Sequence, residues 1–118
     1  MFGISSKALV FSSMAFLLSC AGPVDDEIFA GRYIYGHEVS EFRPCDEDKA
    51  YWLSSATELI AEVRALASSQ AKPYTPVYLK FRGHEIFEMA EGFRADYDYQ
   101  LYLSEVIEFS ADYPQTCR

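Results

Sequence analysis

Ile28-Phe29-Ala30-Gly31-Arg32-Tyr33-Ile34-Tyr35-Gly36-His37-Glu38-Val39-Ser40-Glu41-Phe42 is the stretch whose reading decides the fold. Phe29, Gly31, Tyr33 and Tyr35 alternate on one side, with Arg32 on the other, which is the period of a strand. Gly36 breaks the run, and Val39 and Phe42 resume it with a shifted phase. A phase slip beside glycine predicts a bulge or a tight bend, as at a barrel corner. The stretch therefore reads as two strands. Pro44, Cys45 and the acidic run Asp46-Glu47-Asp48 follow as a loop. Tyr51-Trp52-Leu53 either completes the second strand or forms a short third one.

Downstream, the period changes. Ala56, Leu59, Ile60, Val63, Leu66 and Ala67 form a 3.6-residue stripe, so Ser55 to Ser69 reads as a helix. Ser55 and Glu58 have the spacing of a capping box. Ala71-Lys72-Pro73-Tyr74 ends the helix. Thr75 to Gly83 returns to period two, with Val77, Leu79 and Phe81 on one face and Tyr78, Lys80 and Arg82 on the other. Gly83 marks a turn or bend. Ile86, Phe87 and Met89 permit a strand over His84 to Ala90, and Gly92 to Asp98 reads as a loop. Tyr99 to Phe109 is a long strand with Tyr99, Leu101, Leu103, Ile107 and Phe109 on one face. Glu105 interrupts that face and is expected at a bulge or at a barrel rim. Ala111 to Arg118 is a tail.

The order is strand, strand, helix, strand, a permitted strand, strand, with a further short strand if Tyr51-Trp52-Leu53 stands alone. The fold class is mainly β with one helix (α+β). About five strands and one amphipathic helix suit a small, partly open barrel of the OB kind. There is no internal repeat and no low-complexity stretch.

Upstream, Lys7 is the first charged residue, and Ala8 to Leu18 is apolar apart from Ser12 and Ser13. Such a run is too short to span a bilayer, which takes about 20 residues. It has the length of a signal-peptide core. Leu17-Leu18-Ser19-Cys20 resembles the bacterial lipobox. That resemblance implies a diacylglyceryl group on the Cys20 thiol, cleavage before Cys20 and acylation of the new amine. The alternative is an ordinary secretory signal cut after Ala21. On the lipoprotein reading, residues 1–19 are the signal peptide, 20–27 an acidic tether and 28–118 a single OB-like domain. Ala21 rather than Asp after the cysteine resembles the outer-membrane class, and that resemblance implies the periplasmic face of that membrane.

The 118 residues carry a formal net charge of -8. Removing residues 1–19 takes away Lys7 and no acid, so the mature chain stands at -9. An acidic domain does not bind nucleic acid, whose phosphates demand a basic patch. It gains nothing from anionic lipid either, so the acylated Cys20 is the expected link to the bilayer. Of the three cysteines, assigning Cys20 to lipid leaves Cys45 and Cys117 as an even pair in an oxidising compartment. A Cys45–Cys117 disulfide is expected, tying the tail to the early strands; two free thiols are the alternative.

The stretch from Gly31 to Cys45, with its Gly-His-Glu-Val and Phe-x-Pro-Cys elements, then Tyr51-Trp52, Pro76-Val77-Tyr78 and Gly83, resembles small uncharacterised lipoproteins of Gram-negative bacteria. More loosely, it is similar to the OB-like C-terminal domain of the envelope-stress lipoprotein NlpE. The Cys-x-x-Cys element of the NlpE N-terminal domain is absent here, so the resemblance implies no copper or stress-signalling role.

No Gly-x-Ser-x-Gly elbow and no phosphate-cradling glycine loop occurs. No catalytic residue, metal or cofactor is expected. His37-Glu38 and His84-Glu85 could offer imidazoles and carboxylates to a metal or small ligand, provided their strands are adjacent. Asp96 and Asp98, among Phe93, Tyr97 and Tyr99, could bind sugar or calcium, or be a solvated loop. Tyr33, Tyr35, Tyr78, Tyr97, Tyr99 and Tyr102 either line a groove or close the core. The leading expectation is a non-enzymatic envelope lipoprotein that binds a protein partner. The alternative is a periplasmic metal- or small-ligand-binding module built on His37 and His84.

Overall fold

The computed structural model describes residues 25–87 and 89–117. The expected signal peptide, Cys20 and all but the end of the tether lie outside them. The deciding stretch is a hairpin. Strand β1 (Glu27–Gly36) pairs antiparallel with β2 (Val39–Pro44), Gly36 opposite Val39. The phase slip is thus a two-residue turn at His37 and Glu38, not a bulge, and Glu38 adopts φ 62°. β1 also begins at Glu27, so the last tether residue belongs to the strand.

Tyr51–Ser55 is a separate strand, β3, joined to β2 through Glu41–Trp52 and Phe42–Tyr51. Helix α1 (Thr57–Ser68) follows, then β4 (Val77–Ile86) and β5 (Tyr99–Ser110). The strands close in the order β1-β2-β3-β5-β4. The expected five-strand, one-helix barrel is present, and its ring is closed rather than partly open. Closure rests on a parallel β3–β5 pair, Tyr51–Ser55 against Tyr99–Leu103. Parallel neighbours are joined by long crossovers, so local pattern does not announce them.

The core alternates as expected. Tyr33, Phe42, Leu53, Val77, Leu79, Phe81, Leu101 and Leu103 are fully buried, together with Ile60 from the helix. Phe42 meets Phe81 edge-on at 4.9 Å, and Phe29 stacks on Phe81 at 5.2 Å. Two expectations change. Ser55 is not a helix cap: Ala56 holds that position without a side-chain bond, and Ser55 Oγ donates to the Leu103 carbonyl at 3.1 Å. Leu59, counted in the apolar stripe, is exposed.

Gly83 does not turn the chain, because β4 runs through it to Ile86. Instead the β4–β5 register slips between Lys80 and Phe81 and between Arg82 and Gly83. The extra residues fall on β5, at Ile107 and Ser104. Hence Val106 replaces Ile107 against the core, and Glu105 stays outside. A Cβ on Gly83 would lie 2.1 Å from the Tyr102 carbonyl oxygen, so the strands approach there as only glycine allows.

Cys45 and Cys117 form the expected disulfide, across 72 residues of chain. The tail is fastened beside β1, where Arg32 Nη2 donates to the Cys117 carbonyl at 3.3 Å and the guanidinium lies over the Tyr113 ring.

Candidate functional site

Two of the surfaces that combine exposed apolar groups with polar ones among the described residues are candidate sites. The first is built on the β4–β5 connection. After Ile86 the strand ends, and Phe87 and Met89 are 87% and 92% exposed. The sequence permits a strand over His84 to Ala90; the structure continues β4 through Ile86, and Phe87, Met89 and Ala90 lie outside any strand. Gly92 enters a 3-10 turn (Gly92–Asp96) at φ 69°. The returning chain is held by Gln100, whose Nε2 donates to the Arg94 carbonyl at 2.8 Å and to the Tyr97 carbonyl at 3.2 Å. Gln100 is buried, and its Oε1 has no hydrogen-bond partner among the described residues.

Tyr97 and Tyr99 then divide two clefts. One is lined by Ile86, Phe87, Met89 and Ala90 on its apolar side. The other runs over β2 and the loop before β3, where Glu41, Arg43, Asp48 and Lys49 face Phe93, Asp96 and Asp98. Glu41, Arg43 and Lys49 are committed within it. Glu41 accepts a hydrogen bond from Tyr97 Oη at 2.7 Å and one from Arg43 Nε. Burial, with the Glu41 carboxylate beside it, pushes the Tyr97 phenol up to about 12. Lys49 Nζ sits 4.5 Å from the centre of the Tyr99 ring, a cation–π contact. Trp52 packs edge-on to Tyr97 at 5.7 Å.

The second surface is a groove between α1 and β5, lined by Leu59, Val63, Val106, Ile107 and Phe109 and rimmed by Glu58, Glu62, Glu105 and Glu108. β3 ends opposite Leu103, so from Ser104 to Ser110 β5 pairs with β4 on one side and with no other strand among the described residues. Arg82 answers Glu105 at 3.2 Å.

The residues singled out in the sequence are distributed differently. Tyr33 is a core residue. Its hydroxyl shares a 2.9 Å hydrogen bond with Ser40 Oγ, which itself donates to the Leu53 carbonyl, and Arg64 Nε donates to the phenol oxygen at 3.3 Å. Burial raises the Tyr33 pKa. Tyr35 is half-buried beneath the Arg64 guanidinium, 4.7 Å away. Neither lines a groove, because both lie on the inward phase of β1. Tyr78 is buried as well.

His37 projects from the hairpin turn and pairs with its neighbour Glu38 at 2.9 Å. His84 Nδ1 is 2.8 Å from Asp26 Oδ1, and its ring stacks on Tyr102. The Asp26 carboxyl is held below its ordinary value, first by that hydrogen bond. Asp26 and His37 flank the two ends of β1, roughly 35 Å apart at strand rise. The two histidines therefore cannot share a ligand. No cluster of three or more His, Cys, Asp or Glu with metal-binding geometry occurs among the described residues.

With this geometry in place, the chain can be set beside known proteins. No protein-family model and no curated protein matches the sequence. Among solved structures, the Cpx pathway activator NlpE from Escherichia coli superposes with a TM-score of 0.55 at 21% identity. The two share a fold. The match covers 86% of this chain and 50% of the NlpE chain, so this chain spans half the length of that structure. The loose resemblance to NlpE carried by the Gly-His-Glu-Val and Phe-x-Pro-Cys elements is thus present as architecture.

Phe87, Met89 and the glutamate-rimmed groove were not legible beforehand. Phe87 and Met89 look like strand residues in sequence. The groove joins residues more than forty positions apart, from Glu58 and Glu62 to Glu105 and Glu108. The Ile107 bulge offered a local signal, in the broken alternation at Glu105.

Proposed function

We propose that this chain is a non-enzymatic lipoprotein of the bacterial envelope, anchored through acylated Cys20 on the periplasmic face of the outer membrane, which binds an extended basic segment of another envelope protein. The observation that carries the anchor is the Cys45–Cys117 disulfide. It uses the two other cysteines and belongs to an oxidising compartment, leaving Cys20, in its lipobox-like setting, as the odd thiol. No helix among the described residues is long and apolar enough to cross a membrane. Two or more acyl chains would supply the attachment that one gives only marginally.

The α1–β5 groove supports the binding role. Its apolar floor meets the inward side chains of an extended segment, and its four glutamates meet Lys or Arg on the alternate positions. The β5 edge beyond Leu103 runs alongside.

Labelling cells with a clickable palmitate analogue tests the anchor: the wild-type chain takes the label and Cys20→Ser does not. A photo-reactive amino acid at Ile107 tests the groove. It should give an adduct of defined mass that disappears when Glu58 and Glu62 are both changed to Lys. An adduct indifferent to that charge reversal would remove the groove from the proposal.

A further inference from the structure

The loop that carries Phe87 and Met89 lies where the chain leaves the barrel toward its N-terminus. β1 and β4 run antiparallel with Glu27 opposite Gly83, and Asp26 is bonded to His84. His84 lies two residues before Ile86, the last residue of β4, so the start of the described chain adjoins the end of that strand. Phe87 and Met89 follow immediately, 87% and 92% exposed. They are the most exposed large apolar side chains among the described residues.

Four residues, Ala21 to Val24, separate Cys20 from Asp25. Even fully extended, they hold the Cys20 Cα within about 18 Å of the Asp25 Cα. Resting on the anchor proposed above, we infer that Phe87 and Met89 insert into the bilayer surface beside the lipidated N-terminus, so that the barrel is held against the membrane in a fixed orientation. The occupant of this apolar patch is lipid acyl chain, because the length of chain outside the described residues confines the patch to the membrane surface.

The charge around the patch defines which membrane. Glu85 and Asp98 line the cleft with the two side chains, Glu88 and Glu91 adjoin them in sequence, and Arg94 is the nearest cation in the loop sequence. Contact is therefore apolar, strongest on zwitterionic lipid and weakened by anionic headgroups. The tether is too short to let the acidic domain move clear of the surface, and the two apolar side chains turn that proximity into a contact. A tilt set by one loop leaves the far end of β1, with the His37–Glu38 turn, away from the lipid by roughly 35 Å of strand.

The test uses the full chain with Met89→Cys. Cys20 carries lipid and Cys45 and Cys117 are paired, so the new thiol takes an environment-sensitive fluorophore alone. His37→Cys is labelled as the distant control. Both proteins are purified from membranes, shown by intact mass to be acylated, and placed in phosphatidylcholine vesicles with and without nitroxide-bearing lipid. Position 89 should emit to the blue of position 37 and be quenched at least about twofold more strongly, with the difference reduced by added phosphatidylglycerol. Equal emission and equal quenching at the two positions in acylated protein would overturn the inference while leaving the anchor intact. Absence of acyl mass on the wild-type chain would instead remove the anchor, and this inference with it.

Discussion

Tyr33 shows how far a single residue can be read. Its place on the inward phase of β1 was visible in the alternation, but whether its hydroxyl reached solvent was not, because its partners Ser40 and Arg64 sit on other elements. The buried phenol is held by both and supports the Ser40–Leu53 bridge between β2 and β3. Tyr33→Phe should cost about 1–2 kcal/mol in urea unfolding, since it leaves the buried Ser40 hydroxyl and the half-buried Arg64 guanidinium short of a partner. The same burial predicts an alkaline limit. Tyr33 and Tyr97 have folded pKa values above their ordinary one, Tyr97 at about 12. The unfolded chain then releases these protons first, so stability is unaffected well below pH 10 and falls as pH rises through and beyond it. Denaturation midpoints measured between pH 8 and pH 11.5 should fall over the upper part of that range, and less steeply in Tyr97→Phe. At the acid end, the lowered Asp26 pKa gives a contribution present above its ordinary value near 4 and lost below it.

At the scale of elements, period-two and period-3.6 patterning located β1, β2, β4, β5 and α1 closely. What they missed has physical reasons. The capping box at Ser55 and Glu58 was a correct spacing with the wrong use, since β3–β5 closure claims the Ser55 hydroxyl first. The turn expected at Gly83 is a close approach within a continuous strand, because an isolated glycine marks either. Gly83→Ala places a methyl 2.1 Å from a backbone oxygen of β5 and should destabilise the barrel by about 2–3 kcal/mol, or prevent folding. A chemical-denaturation midpoint close to wild type would mean that β5 yields at its bulges. Gln100→Ala removes both bonds to the Arg94 and Tyr97 carbonyls. Amide exchange should then quicken through residues 94–99 while β1 and β2 stay protected.

For the molecule as a whole, cysteine arithmetic and the alternation together gave the outline of a small barrel stapled near its end. The parallel β3–β5 pair, the closed ring and the glutamate-rimmed groove depend on residues far apart in the chain, and no local pattern encodes them. Closing a 72-residue separation, the disulfide should stabilise the domain by about 4 kcal/mol in the chain-entropy view. Urea unfolding with and without reductant, or in a Cys45→Ser, Cys117→Ser double variant, measures it. The lipid anchor is the claim on which location, orientation and membrane contact all depend. Its most direct test is membrane fractionation of Cys20→Ser against wild type, with formation of the Cys45–Cys117 disulfide as the readout of folding. The account predicts a folded, disulfide-bonded variant released from the membrane fraction. A Cys20→Ser chain that stays with the membranes as firmly as wild type would contradict it.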